Sequence, residues 1–239
     1  MKYCIVYGSP RKKNTWQAVQ IVKERLQELG EAEFTEFFLP RDLPEFCRGC
    51  MACFIKGEQN CPHREYVAPI ETALVEADGI ILASPVYVME MAAPMKNMLD
   101  HFGYIFMAHR PRAEMFSKAA AVISTTAGAG TRYAMAGIVR SLTYWGVGRI
   151  HKCGITLFSE GLDAVKPKRR ARLVRSLQKT AERLHRDASR GISSPLKTRG
   201  MFYVMRQAVF HMADNPLDHD YWQARGWDKR ERPWKQKKG

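Results

Sequence analysis

The spacing of hydrophobic positions changes several times along the chain, and each change marks an element. Residues 2–7, KYCIVY, are an apolar run of strand formers halted by Gly8-Ser9-Pro10. From Asn14 the period lengthens. Trp16, Val19, Ile21, Val22, Leu26 and Leu29 recur at three- and four-residue spacing, which predicts a helix closed by Gly30. A second strand is expected over 32–38, then an irregular, cysteine-bearing stretch from Pro40 to Pro62, then a helix over 66–77. Gly79-Ile80-Ile81-Leu82-Ala83 is apolar throughout and predicts a strand ending at Ser84-Pro85. A helix near 91–106, a strand at 119–125, a helix at 131–145 and a strand near 149–157 follow. The series closes with a long helix over 166–186, with Leu173, Leu177, Ala181 and Leu184 on one face.

Strands and helices therefore alternate five times. The third and fourth strands show no polar alternation, as expected where helices cover both faces of a sheet. The pattern predicts an α/β fold, a doubly wound parallel sheet of five strands. In such sheets a ligand lies beyond the carboxyl ends of the strands, at the topological switch point. That rule singles out the loops after Tyr7, Ala83 and Thr125.

Composition narrows the class. A hydrophobic fraction of 46% and a charged fraction of 26% describe a globular chain. No stretch approaches the roughly 18 apolar residues of a spanning helix. The six-residue apolar run at the N-terminus is too short for a signal-peptide core, so a cytoplasmic location is expected. In that reducing setting the 6 cysteines point to metal or redox roles before disulfides. The net charge of +14 is lopsided. Residues 1–165 hold 18 Lys+Arg against 17 Asp+Glu, whereas 166–239 hold 20 against 7. The expected organisation is a cofactor-binding domain over 1–186 and a basic helix and arm over 187–239, disordered over about its last ten residues.

The three strand-end loops carry the candidate chemistry. The first, Gly8-Ser9-Pro10-Arg11-Lys12-Lys13-Asn14-Thr15, leads into a helix with hydroxyls and cations, which suits a phosphate. It has neither G-x-G-x-x-G nor a GK[ST] ending, so dinucleotide and Walker A readings fall away. A plain β–α turn remains the alternative. The second runs from Ser84-Pro85-Val86-Tyr87 through Pro94, Lys96 and Asp100. The third is Ser124-Thr125-Thr126-Ala127-Gly128-Ala129-Gly130. Together, and in this order, the three loops resemble those of the flavodoxin-like NAD(P)H-dependent FMN reductases, over about residues 1–185.

The resemblance implies a flavodoxin-like sheet of order 2-1-3-4-5 and FMN held at its strand ends. Ser9, Arg11, Asn14 and Thr15 would contact the flavin phosphate. Pro85, Val86 and Tyr87 would pack beside the isoalloxazine and offer it backbone N–H groups, and Thr125, Thr126, Ala127 and Gly128 would line its other side. NADH or NADPH would be the co-substrate. No side chain is assigned a catalytic role, because the flavin itself carries the chemistry. Lys96 and Asp100 are expected as a surface or helix–helix pair.

Cys47, Cys50, Cys53 and Cys61 have the spacing C-x2-C-x2-C-x7-C, with Pro62 after the last. Consecutive C-x-x-C steps wrap a chain around a cluster, and a following proline is common in ferredoxin-type runs. Three readings stand: a [4Fe–4S] cluster, free thiols, or zinc with His63 as a further ligand. The placement resembles the iron–sulfur flavoprotein branch of the same family. Arg41, Arg48, Lys56 and Arg64 flank the thiols and would offset the charge of such a cluster. Cys4 and Cys153 fall inside buried strands, where a thiol is a small apolar group.

Beyond Arg190, Met201, Phe202, Met205, Val209 and Phe210 recur at helical spacing, ahead of Asp218-His219-Asp220-Tyr221-Trp222 and Gly226-Trp227. Such content suits a helix and arm docked on the domain or on a second subunit, and a homodimer or higher homo-oligomer is expected. The function expected is an FMN-dependent NAD(P)H oxidoreductase with a second electron acceptor, small molecule or protein. Its rivals are a flavodoxin-type electron carrier and a basic nucleic-acid-binding module. The basic charge argues against the first and the three cofactor loops against the second.

Overall fold

A computed structural model describes residues 1–159, 161–212 and 214–235. Five parallel strands form the sheet: β1 (Lys2–Tyr7), β2 (Glu33–Phe38), β3 (Gly79–Tyr87), β5 (Ala119–Thr126) and β6 (Arg149–Thr156). Their order, β2-β1-β3-β5-β6, is the expected one once a two-residue strand, β4 (Glu90–Met91), is set aside. That sixth strand is the departure from the expectation. Strand β3 does not end at Ser84-Pro85. It continues to Tyr87 and turns back, pairing Val86 with Met91 and Tyr87 with Glu90. The proline is tolerated because β1 pairs with β3 only as far as Tyr7↔Ala83, so one side of β3 is unpaired beyond that point.

Side-chain alternation splits each buried strand between two cores. From β1, Cys4 and Val6 enter the core under α3 (Arg64–Glu76), α4 (Ala93–His101) and α5 (Thr131–Tyr144). Tyr3, Ile5 and Tyr7 enter the opposite core under α1 (Asn14–Glu28) and α6 (Pro167–Arg190). Helix α1 docks through Ala18, Val19, Val22 and Leu26, and α6 through Leu177, Ala181, Leu184 and Ala188. The outer face of α6 carries Lys168, Arg169, Arg170, Arg172, Arg175 and Arg183, all exposed. The helix expected to close at 186 runs to Arg190, where Gly191 turns the chain at φ 66°. The helix expected over 91–106 stops at His101, and Gly103–Ile105 tightens into a 3₁₀ turn.

A third core belongs to the C-terminal extension. Helices α7 (Leu196–His211) and α8 (Pro216–Ala224), with Trp227 in the turn after α8, bury Phe202, Val209, Trp222 and Trp227 against Met107 and Phe116 of the body. Phe202 stacks on Trp222 at 4.9 Å and meets Trp227 edge-on at 5.6 Å. Helix α8 was not expected, though its start is a standard one: Pro216 in the first turn, and an Asn215 side chain accepting the Leu217 N–H. Of the tail expected to be disordered, residues 229–235 fold back, with Trp234 against Phe116 and Phe202. Residues 236–239 lie outside the described residues. No helix among those described is long and apolar enough to cross a membrane.

Candidate functional site

The fold brings the three loops to the carboxyl edge of the sheet and joins them directly. The Gly8 N–H donates to the Ala83 carbonyl at 2.7 Å, seating the first loop on the end of β3. A Cβ at Gly8 would stand 3.0 Å from Met95 Cβ and 3.1 Å from Ser84 Oγ, so glycine is required by close approach. Thr15 Oγ1 and Thr125 Oγ1 share a buried hydrogen bond of 2.7 Å, which ties the first loop to the third. At Gly130, where φ is +99°, a Cβ would lie 2.7 Å from Val86 Cγ1; this contact joins the third loop to the second.

The first loop offers anion-binding chemistry. Helix α1 starts at Asn14 without a side-chain cap from Lys13 and has no acidic residue in its first turn. Its amino end therefore presents partial positive charge with N–H groups for an anion. Arg11, Lys12 and Lys13 are exposed around it, and the nearly buried Ser9 hydroxyl accepts the Arg11 N–H at 3.3 Å. Among the expected phosphate contacts, the Thr15 hydroxyl is already engaged with Thr125.

In the second loop, Val88 and Met89 sit at φ 49° and 66°, the two-residue turn that matches strand twist. A β-branched residue there is strained, and strain of this kind concentrates at functional sites. Val88 is 99% exposed, with Tyr87 and Met89 about half exposed beside it, so the hairpin forms an apolar ledge. In the third loop, Thr126 Oγ1 donates to the Ala129 carbonyl at 2.7 Å and accepts the Gly128 N–H at 3.3 Å. Ala127 and Gly128 are thereby held exposed at the same edge. Lys96 and Asp100 form an exposed i,i+4 ion pair on α4, as expected.

The cysteine segment stands beside this edge. Cys47, Cys50, Cys53 and Cys61 line one small pocket, closed by Phe54, His63 and His101. Burial, and after it the charges of Cys61, Cys47 and Cys50, push the Cys53 thiol up to about 11. Four thiolates so placed would repel one another, and a cationic metal core would relieve the repulsion. Among the described residues, no three His, Cys, Asp or Glu side chains stand arranged to hold a single metal ion. His63 is buried and donates or accepts at Nδ1 with His101 Nε2, at 3.0 Å.

The cations expected to flank the thiols are mostly committed elsewhere: Arg41 to Asp42, and Arg64 to Glu71. Arg48 lies 3.6 Å from Glu45, with both side chains largely exposed. The charge that reaches the cysteine backbone is Arg110, whose guanidinium donates to the Cys53 carbonyl. Arg112 bridges Glu58 at 2.7 Å and Glu71 at 2.5 Å. Burial opposes ionisation of both acids, but the Arg112 hydrogen bond on Glu58, and the Arg112 charge with the Arg64 hydrogen bond on Glu71, hold them below the ordinary carboxylate range. Asn97 accepts the Cys47 N–H at 2.9 Å and donates to the Glu45 carbonyl at 2.8 Å. Sequence reasoning missed Arg110, Arg112, Glu58, Glu71 and Asn97. None of them belongs to a motif, and Glu58, Arg110 and Arg112 stand among other polar residues in the sequence, so no local signal marks them.

Comparison with known proteins places this geometry. Residues 1–151 match the family described as NADPH-dependent FMN reductase. An iron–sulfur flavoprotein of Archaeoglobus fulgidus is 32% identical over 150 residues, which cover 62% of this chain and 64% of that one. The aligned part thus spans just under two thirds of that relative. An azoreductase of Bacillus anthracis shares the fold, with a TM-score of 0.59 at 14% identity over 78% of this chain and 99% of that one. So does an NAD(P)H:quinone oxidoreductase of Methanothermobacter marburgensis, with a TM-score of 0.57 at 18% identity over 77% and 96%.

Proposed function

Because the chain belongs to the NADPH-dependent FMN reductase family, we propose that it is an FMN-dependent oxidoreductase that takes electrons from NADH or NADPH and delivers them to a second acceptor. The observation that carries this reading is the junction of all three loops at the carboxyl edge of the sheet through Thr15–Thr125, Gly8 and Gly130. Ser9, Arg11, Asn14 and the amino end of α1 hold the flavin phosphate, with Thr15 bracing them from below. Pro85, Val86 and Tyr87 flank the ring on one side, and Thr125, Thr126, Ala127 and Gly128 on the other. Bound FMN would supply hydride acceptance and electron transfer, so the chain needs no acid–base constellation of its own. The residues bind, orient and exclude water, with the apolar hairpin tip as one wall.

Cys47, Cys50, Cys53 and Cys61 would hold a [4Fe–4S] cluster, which would supply one-electron transfer, and the Archaeoglobus relative is named an iron–sulfur flavoprotein. A cluster takes each thiolate on a separate iron, so the four side chains need not converge on one ion. The acceptor is a small molecule, such as the quinone or azo compound named for the two fold neighbours, or a protein. A homodimer or higher homo-oligomer would complete the wall over the flavin. Helix α7, expected to supply that contact, turns Phe202 and Val209 inward and leaves Tyr203 and Val204 exposed.

Anaerobic purification, then flavin, iron and acid-labile sulfide analysis per chain, tests the reading. Flavin bands bleached by NADH or NADPH, with about four iron and four sulfide, support both halves. Flavin without iron confines the protein to simple flavin chemistry. The lack of flavin binding on titration with FMN would sink the whole proposal.

A further inference from the structure

The cysteine segment has little structure of its own. Between Pro40 and Pro62 it holds one four-residue helix, Ala52–Ile55, and one 3₁₀ turn, Glu58–Asn60, and it leaves Phe46 and Ile55 more than 60% exposed. Its position is set from outside, by Asn97 at Glu45 and Cys47 and by Arg110 at Cys53 and Glu58. This guanidinium is 4% exposed. One edge donates to the carbonyl of Cys53, and Nε donates to Glu58 Oε2 at 3.1 Å. Cys53 ends the C-x2-C-x2-C turn, and Glu58 lies on the arm that brings Cys61 in. A single side chain therefore crosslinks the two halves of the segment.

Arg110 is in turn held by the C-terminal extension. Asp218, on the first turn of α8, is 1% exposed and pairs with Arg110 through Oδ1. Its Oδ2 accepts from His109 Nδ1 at 2.8 Å and from Asn215 Nδ2 at 3.0 Å. The same Asn215 amide reaches the Phe54 carbonyl at 3.3 Å. Trp222 Nε1 and the Tyr221 hydroxyl then bind the carbonyls of His109 and Pro111, fixing α8 to the strip that bears the arginine. Two successive carbonyls beside the third cysteine thus depend on two residues located more than 150 positions further along the chain.

We propose that the C-terminal extension is a positioning element for the four-cysteine segment, with Asp218 as the positioning residue acting through Arg110. Asp218 aims the guanidinium, and the guanidinium sets the distance between the C-x2-C-x2-C turn and Cys61. A buried carboxylate suits this task because its two oxygens fix the planar fork of arginine in one orientation. Without it, Arg110 keeps only Glu58 as a charged partner and loses its aim at Cys53. The extension lies beyond residue 151, where the family match ends.

The positioning claim stands on the thiols themselves; its consequence for iron rests on the cluster reading above. The experiment uses the full chain, wild type against Asp218→Asn and, as a milder change, Asn215→Ala. In the metal-free reduced protein, iodoacetamide labelling is followed at each cysteine by peptide mass spectrometry. Cys53 is half-buried whereas Cys50 is exposed, so Cys53 should label more slowly in the wild type. Asp218→Asn should raise the Cys53 rate about tenfold relative to Cys50, and Asn215→Ala by a smaller factor in the same direction. After iron and sulfide reconstitution, the variants should lose iron to a chelator about tenfold faster while FMN affinity is unchanged. An unchanged Cys53 rate in both variants would overturn the proposal, as would equal acceleration at all four cysteines, which marks general loosening. A wild type that takes up no iron defeats the cluster reading alone and leaves the labelling result to decide this one.

Discussion

At the residue scale, the candidate site divides into side chains that bind and side chains that brace. Arg11 is exposed and Ser9, among the described contacts, only accepts the Arg11 N–H, whereas Thr15 and Thr125 spend their hydroxyls on each other. Removing the Arg11 guanidinium or the Ser9 hydroxyl should cost roughly 1–3 kcal/mol of phosphate binding each. Flavin titration of Arg11→Ala and Ser9→Ala should then show Kd raised about tenfold or more. If the double variant binds flavin as the wild type does, the loop is only a turn. Cysteine substitutions should act differently. Replacing any one of Cys47, Cys50, Cys53 or Cys61 by Ser should remove most of the iron and leave the flavin bound, because the two sites share no side chain. Parallel loss of flavin in the same variants would contradict that separation. The four cysteines were legible from spacing alone. Arg110 and Asp218 were not, because a contact across 108 positions leaves no local period to read.

At the element scale, the long, strongly patterned pieces were the legible ones. Strands β1 and β5 and helices α1, α5 and α6 begin and end close to where apolar spacing places them. The misreadings come from residues whose local preference was overruled. Pro85 reads as a strand terminator but lies where β3 has lost a neighbour, so the strand continues and folds into the β4 hairpin. Helix α7 carries apolar residues that suited docking on the domain or on a second subunit, and the aromatic cluster uses Phe202 for the first of these, against Met107 and Phe116. Phe202→Ala should leave a cavity among Phe116, Trp222 and Trp227 and cost about 3–5 kcal/mol. Thermal unfolding checks this, and the loss should appear first as a detached extension if α7 and α8 open as a unit. A variant as stable as the wild type would mean the cluster repacks without it.

At the scale of the whole molecule, charge and topology carry separate messages. The excess of Lys and Arg beyond residue 165 mostly covers the outer face of α6 and the extension, where it is solvated. The buried charge sits elsewhere, in the Arg64, Glu71, Arg112, Glu58 and Arg110 network beneath the cysteine segment. It contributes to the acid sensitivity of the fold, alongside Asp42 and Asp187, which are also held low. Glu58 and Glu71 are held below the ordinary carboxylate value, so the stability they contribute is fully present above about pH 4.3 and is lost as pH falls below it. Unfolding followed from pH 6 to pH 3 should therefore steepen below about pH 4.5, and Glu71→Gln should flatten the curve. An equally steep curve in that variant would place the acid sensitivity in other groups. By itself the sequence determined the layered α/β class and the three loops at strand ends, because these follow from local spacing, and the crossovers a parallel sheet allows left few strand orders, among which the family resemblance chose. Only the tertiary structure decided what holds the loops together and what grips the cysteine segment. Those contacts join Thr15 to Thr125, Gly130 to Val86 and Asp218 to Arg110. Each links distant parts of the chain through side chains whose local patterns are ordinary, and only packing brings them within reach.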